Sequence, residues 1–457
     1  MQIHRFEQDL LAEWLKKPHR KPLVLRGARQ VGKSSLVRNL AKSSQKTFFE
    51  INFERNPEHA DFFKSKDPNL ILNQLGLYFK SVINPKESLL FLDEIQATPQ
   101  VIEVLRYFYE ECPDLPVVAA GSLLDFALAE PIFSVPVGRI EYFHLGPIGF
   151  EDFLVSLGEK ALVEWLKTVS ISETIPLPIH QRCLELVKQF WLIGGMPEVV
   201  AHFSEHRDFL EINNIKQNIL QSYQEDFHKY GRIKQIPLLR RVFKTLPSLI
   251  GQKIKYVHLD PDSKSTQVKE ALDFLNLAKV IHLIYHSHAT GVPLGAQIDS
   301  KTFKSIYVDI GLLCSALGLN DLSIIQSPDW AWINRGSLAE QYIGQVLFQL
   351  YPSYQMPELY YWVREQAQAA AELDYVWQYE NKIIPIEVKA GKTGHLKSLH
   401  YFMKEKKWSF GGRFNTDLPS LLDEKLKLPN QKESVYRLLS LPFYLAGQLN
   451  RFIKETL

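Results

Sequence analysis

The stretch Gly27-Ala28-Arg29-Gln30-Val31-Gly32-Lys33-Ser34 decides the architecture of this chain. Pro18 and Pro22 close off an N-terminal segment, and the apolar run Leu23-Val24-Leu25 that follows reads as a buried strand leading into the stretch. Beyond it, Ser34-Ser35-Leu36-Val37-Arg38-Asn39-Leu40 sets apolar side chains at helical intervals. Strand, glycine-bounded loop and helix is the order that gathers backbone N–H groups around an anion. The glycines allow a tight turn, and the helix presents the positive end of its dipole. The stretch fits GxxxxGK[ST] in full, so Gly27, Ala28, Arg29, Gln30, Val31, Gly32, Lys33, Ser34 and Ser35 are the expected contacts of a nucleotide's phosphates. Lys33 is expected to reach the β- and γ-phosphates of ATP, and Ser34 to give its hydroxyl to a Mg²⁺ bridging them.

Working outward, Leu89-Leu90-Phe91-Leu92-Asp93-Glu94 is an apolar strand ending in two acids. Asp93 is placed on the metal side, and Glu94, one residue on, is placed to orient or deprotonate an attacking water. Further apolar strands are expected at 47–53 and 117–120, with helices at 5–16 and 101–111. Their alternation predicts an α/β domain with a parallel sheet covered by helices on both faces.

With these residues in hand, the chain resembles the AAA-type P-loop ATPases. Within them it is similar to a bacterial and archaeal family that couples this domain to a C-terminal domain of uncharacterised function. The resemblance rests on GARQVGKS at 27–34, LDEIQ at 92–96, AAGS at 119–122, VGRIEYFHLGPIGFEDF at 137–153, GGMPEVV at 194–200 and the ExK segment at 387–389, and covers nearly the whole chain. It implies that Ser122 occupies a sensor position near the γ-phosphate. It makes Arg139 a candidate arginine finger, able to act only once an intersubunit or interdomain contact forms. Arg29 and Gln30 recur in the family, with no mechanism assigned to them.

The organisation read along the chain is an ATPase core at 1–150, a helical lid at 151–228, a winged-helix domain at 229–318 and an α/β unit at 319–457. Residues 141–222 lose the strand pattern, with Gly194-Gly195-Met196-Pro197 as an interrupting turn. From 233 to 315, three helices precede a hairpin, as in a winged helix. Lys264, Lys269 and Gln267 lie on or before the helix that would enter a major groove, and Lys253 and Lys255 near a backbone contact, which opens a DNA-binding option.

In the last unit, helices are expected at 338–350 and 396–402 and a hairpin at 372–389 around Glu380-Asn381, while 413–433 reads as a surface loop. Asp374, Glu387 and Lys389 form D…ExK on neighbouring strands, with Glu340 on the preceding helix. Alternation puts Glu387 and Lys389 on one face. Asp374, Glu387 and Glu340 are therefore candidate Mg²⁺ ligands, with Lys389 stabilising an attacking water. This looks like the PD-(D/E)XK nuclease core. The bland alternative is a solvated charged face. His395 and His400 do not share a helical face well enough to chelate metal, and Trp191, Trp330, Trp332 and Trp362 read as packing residues.

At 457 residues the chain exceeds one ordinary core. Its 53 basic and 51 acidic side chains leave a formal charge of +2, too small a field to imply nucleic acid by itself. Cys112, Cys183 and Cys314 lack CxxC spacing, which points to reduced, buried thiols. The absence of a signal-like N-terminus and of an 18-residue apolar run leads to an expected cytoplasmic location without integral membrane association. Two functional readings compete: an ATP-driven machine acting on DNA, and a regulatory ATPase switch whose C-terminal half engages a protein partner. A metabolic P-loop kinase is weaker, since nothing supplies an acceptor site. An oligomer is possible by analogy with the superfamily.

Overall fold

The computed structural model describes residues 3–122, 124–129, 136, 138–230, 233–319, 335–364, 370–390, 396–427 and 433–457. Val137, Trp330, Trp332 and His395, all used in the sequence argument, lie outside them.

Helix α1 (Phe6–Lys16) precedes strand β1 (Leu23–Arg26), helix α2 (Lys33–Ser44), strand β2 (Thr47–Asn52), helix α3 (Pro68–Phe79), strand β3 (Ser88–Asp93), helix α4 (Val101–Glu111), strand β4 (Val117–Gly121), helix α5 (Leu124–Ala129) and strand β5 (Glu141–His144). The strands form one parallel five-stranded sheet in the order β2-β3-β4-β1-β5. β3 and β4 are buried at every position, as central strands covered on both faces must be. Local signals agree with this plan. Asp67 caps α3, accepting from the N–H groups of Asn69 and Leu70, with Pro68 in the first turn. α4 turns Val101, Val104, Leu105 and Phe108 into the core.

β5 corrects the expectation that strands end before residue 141. Four residues are too few to show a period, yet Glu141–His144 pairs in parallel with β1 and completes the sheet edge.

Helices α6 (Phe150–Ser156), α7 (Lys160–Thr168), α8 (Leu177–Ile193), α9 (Pro197–His206) and α10 (Phe209–Tyr230) form the expected helical segment. After it come α11 (Ile236–Thr245), α12 (Tyr256–Leu259), α13 (Ser265–Leu277), the hairpin strands β6 (Ile281–Ser287) and β7 (Ile298–Tyr307), and α14 (Ile310–Ala316). The three helices and hairpin stand where the sequence puts them, but the hairpin is not a free wing. β6 pairs in parallel with β8 (Leu359–Arg364), so the hairpin is the margin of a second sheet.

That second sheet runs β12-β13-β11-β10-β9-β8-β6-β7, where β9 is Ala371–Tyr379, β10 Lys382–Val388, β11 Phe410–Asn415, β12 Ser420–Lys427 and β13 Glu433–Pro442. Helices α15 (Arg335–Gln349), α16 (Lys397–Lys406) and α17 (Leu449–Thr456) accompany it. The expected boundary at 318/319 therefore cuts through a continuous hydrogen-bonded sheet. The expected loop at 413–433 contains the edge strand β12, whose charged run Asp423-Glu424-Lys425 hides a β pattern. The expected helices at 338–350 and 396–402 and the hairpin turning at Glu380, which has a positive φ of 51°, are present.

Helices α6–α10 and the second sheet share a core. Trp191 on α8 is fully buried, its ring 5.7 Å from Tyr342 and 5.5 Å from Phe443. Cys112, Cys183 and Cys314 are free and buried. Asp309, fully buried, caps α14 by accepting from the Leu312 N–H at 3.0 Å. It also accepts from the Gly195 N–H at 2.6 Å and the Gln345 side chain at 3.4 Å. One carboxylate thus ties the Gly194-Gly195 turn to α14 and α15. Asp309→Ala is expected to cost about 2–4 kcal/mol of unfolding free energy, because it orphans buried donors, as read by urea unfolding followed by circular dichroism.

Candidate nucleotide site and the charged centre of the second sheet

The parallel register places the loop after β1, the end of β3 and the end of β4 on one edge: Arg26 lies beside Gly121, and Ala120 beside Asp93. Gly27 can be no other residue without movement, since a Cβ there would stand 2.1 Å from the Leu145 carbonyl oxygen. Gly32 has φ 89°, and α2 starts directly after it, aiming its first N–H groups into the loop. Arg5, buried on the far side, donates to the carbonyls of Val31 at 2.6 Å and Gly146 at 2.8 Å, clamping the loop from behind.

Lys33 is buried, and its Nζ donates to the carbonyls of Gly27 at 3.0 Å and Ala28 at 2.7 Å. Burial lowers its ammonium to about 8, against the opposing pull of Glu94 and Asp93. The Ser34 hydroxyl lies 3.0 Å from both oxygens of Asp93, and Asn52 donates to the same carboxylate at 3.3 Å. Ser35 is exposed on α2. Burial, with Glu94 beside it, pushes the Asp93 carboxyl up to about 6. A cation at this place would relieve that charge, so Ser34 and Asp93 fit Mg²⁺.

Glu94 has a left-handed backbone, φ 53°, unusual for a non-glycine residue and typical of functional positions. Its Oε2 accepts from Gln96 Nε2 at 2.5 Å and lies 3.4 Å from the Ser122 hydroxyl. Sequence reasoning missed Gln96. The room for it comes from Gly121, where a Cβ would meet Gln96 Oε1 at 2.4 Å.

Arg29 and Gln30 now have contacts. Arg29 reaches Ser122 at 3.4 Å, Glu54 at 3.3 Å and Asp226 on α10 at 2.7 Å. The Tyr223 hydroxyl donates to its carbonyl at 2.9 Å, and Gln30 donates to Ser222 at 2.9 Å. The polar run Ser222, Tyr223, Asp226 and Lys229, on one helical face, is the signal that could have revealed this junction. Arg139 is elsewhere: it precedes β5, at the sheet edge opposite the loop, and pairs with Glu110 at 2.8 Å while 44% exposed.

In the second sheet, the structure gathers Asp374, Glu387, Lys389 and Glu340, and adds two residues the sequence reading missed. Lys304 of β7, fully buried, pairs with Glu340 at 2.8 Å and with Glu372. Asp374 accepts from the Val388 N–H at 2.7 Å, and Lys389 pairs with Glu387. Burial works against the Lys304 ammonium, but Glu340, Glu372 and Asp374 outweigh it and hold it above its ordinary range. Among the described residues no three His, Cys, Asp or Glu side chains are arranged to hold a metal ion. Glu340 thus meets Lys304, Glu387 meets Lys389, and Asp374 is held between them by the Val388 N–H.

On the DNA option, Lys255, Lys264, Gln267 and Lys269 are exposed and Lys253 is half-buried, with Glu270 exposed among them. His400 is partly buried on α16, its ring 5.9 Å from Tyr436. No helix among the described residues is long and apolar enough to cross a membrane.

Residues 19–154 match the family model of an AAA domain. The chain carries an AAA-type P-loop ATPase domain. Behind it, residues 184–323 match one domain of unknown function, DUF8612, and residues 335–417 another, DUF4143. None of the curated proteins matches the chain. Among solved structures, the Thermotoga maritima RuvB Holliday junction branch migration motor is similar at 16% identity, covering 60% of this chain and 86% of that one with a TM-score of 0.27, too low to carry an argument.

Two consequences are measurable. Gln96→Ala is expected to reduce ATP turnover about tenfold with little change in nucleotide affinity, since Gln96 orients Glu94. Burial and Asp374 push Glu387 from 4.5 up to about 7, so its contribution to stability is full below about pH 4.5 and is lost as pH rises through about 7. Glu387→Gln should therefore flatten the fall of the urea midpoint across that interval.

Proposed function

We propose that this chain hydrolyses Mg-ATP at the edge where β1, β3 and β4 end, and that the nucleotide state is passed to α10 through Arg29. The observation carrying this reading is the placement of Glu94, held by Gln96 and Ser122, beside the Ser34–Asp93 pair. The loop N–H groups and Lys33 bind the phosphates. Lys33 exchanges its two carbonyl partners for phosphate oxygens and offsets charge as the terminal bond breaks. Mg²⁺ held by Ser34 and Asp93 would supply further charge neutralisation. Glu94 takes the proton of the attacking water, and Ser122 holds that carboxylate in place. When phosphates leave, Arg29 is free to share its charge between Ser122 and the acids Asp226 and Glu54, so loop and α10 are coupled.

For the target, one reading is a switch whose C-terminal half, with its charged centre around Lys304, engages a partner protein. The exposed lysines 255, 264 and 269 beside Gln267 keep a DNA-directed machine as the second reading. Arg139 would serve only a neighbouring copy's site, which requires an oligomer.

The test is steady-state ATP hydrolysis by the purified chain, with and without duplex and branched DNA. Glu94→Gln should lose roughly 10²-fold or more in kcat while keeping nucleotide affinity, and Lys33→Ala should lose binding. Turnover should decline at acid pH, as protons compete with Mg²⁺ for the Asp93 carboxylate. Undiminished turnover in Glu94→Gln would sink the assignment. Stimulation by DNA, with cleavage lost in Lys389→Ala, would reinstate the DNA-processing reading.

A further inference from the structure

Behind the nucleotide loop lies a cavity of about 800 Å³ between the ATPase sheet, β6, β7 and α15. This size and position, at a junction of units, are those of sites that enclose small molecules. One wall is basic. Arg26, at the end of β1, and Lys279, after α13, both line the cavity and both pair with the single carboxylate Asp125, Lys279 at 3.3 Å. Asp125 itself does not line the cavity, and the Arg26 and Lys279 side chains are only 16% and 11% exposed. Two cations on one anion leave a surplus positive charge in a place shielded from water, a costly arrangement without a further anion. Arg26 Nε is moreover buried with no hydrogen-bond partner among the described residues. Four carboxylates line the cavity as well, and each has a partner elsewhere: Glu7 pairs with Arg5 at 3.3 Å, Asp152 accepts from the Phe6 N–H at 3.1 Å, Glu151 from Gln448 at 2.7 Å and Glu358 from the Tyr360 hydroxyl, while among the described residues none of them pairs with Arg26 or Lys279.

The neighbouring imidazoles stay neutral. Burial, with Arg26 and Lys279 nearby, lowers His144 to about 4, and burial with Lys279 lowers His282 to about 3. They therefore act as hydrogen-bonding groups and ring surface rather than as charges. His282 lies against Phe348 with ring centroids 4.0 Å apart, and Tyr351 lines the same space, giving an aromatic surface next to the basic wall.

We infer that this cavity binds an organic anion with an apolar body, its anionic group seated on Arg26 and Lys279 and its body against His282, Phe348 and Tyr351. Gly27 and Ala28 of the phosphate loop back onto this cavity, but Lys33, Ser34, Asp93 and Glu94 do not line it, nor do Lys304, Glu340 and Glu372.

The experiment is a fluorescence titration of the folded full chain with 8-anilinonaphthalene-1-sulfonate, an aromatic body carrying one anionic group. Wild type should bind one molecule saturably with a blue-shifted emission. Its neutral relative N-phenyl-1-naphthylamine should bind at least tenfold more weakly, a comparison that needs no variant. Lys279→Met should weaken sulfonate binding tenfold or more, Leu283→Trp should abolish it by filling the cavity, and Lys33→Ala should leave it unchanged. The inference fails if the neutral probe binds as tightly as the sulfonate. It fails equally if folded Lys279→Met or Leu283→Trp binds like wild type, or if Lys33→Ala removes binding and so places the probe in the nucleotide loop.

Discussion

Parallel pairing through β4 is the constraint on which the nucleotide end of the molecule depends. β1 and β3 do not touch, yet each pairs with β4 in the same direction, so both chains leave the sheet on the same edge. A lysine and serine from one segment and two acids from another, some sixty residues later, are thereby made neighbours, and the Ser34 hydroxyl meets the Asp93 carboxylate. In antiparallel pairing the same residues would be separated by the length of a strand, roughly 17–20 Å for typical strands. The glycines serve this geometry: Gly27 lets the loop pass the Leu145 carbonyl, and Gly121 makes space for Gln96.

How much of this was legible in the sequence follows from the kind of signal each element carries. The loop at 27–34 and the strand ending in Asp93 and Glu94 are fixed by local chemistry, and both are found where they were read. Helix 101–111 and the apolar strands around it carry strong periodicity and match closely. β5 was missed because four residues hold no period, and β12 because its charges mask alternation. The winged-helix reading shows a different limit. The order of three helices and a hairpin was right, but which sheet the hairpin joins is settled by β8, about seventy residues after β6 ends, and no local pattern encodes that pairing.

Site residues follow the same division. Asp374, Glu387, Lys389 and Glu340 do converge, as alternation on a hairpin beside a helix requires. Lys304 could not be foreseen, because it arrives from β7, across a sheet whose continuity the sequence concealed. Its presence changes the chemistry of the cluster: a buried ammonium sits among carboxylates that would otherwise repel one another. Gln96, the last residue of LDEIQ, and Asp226 have no role assigned in the sequence, being ordinary polar residues whose roles come only from what they face.

β12 closes one margin of the second sheet, and its run Asp423-Glu424-Lys425 places two acids and a lysine along that border. A bare strand border is a template on which another chain can lay down a further strand, and formal charges along it make that addition electrostatically and sterically poor. Growth of the sheet into a ribbon of successive molecules is discouraged at this side, so that any self-assembly begun here would have to be built from helical or loop surfaces instead.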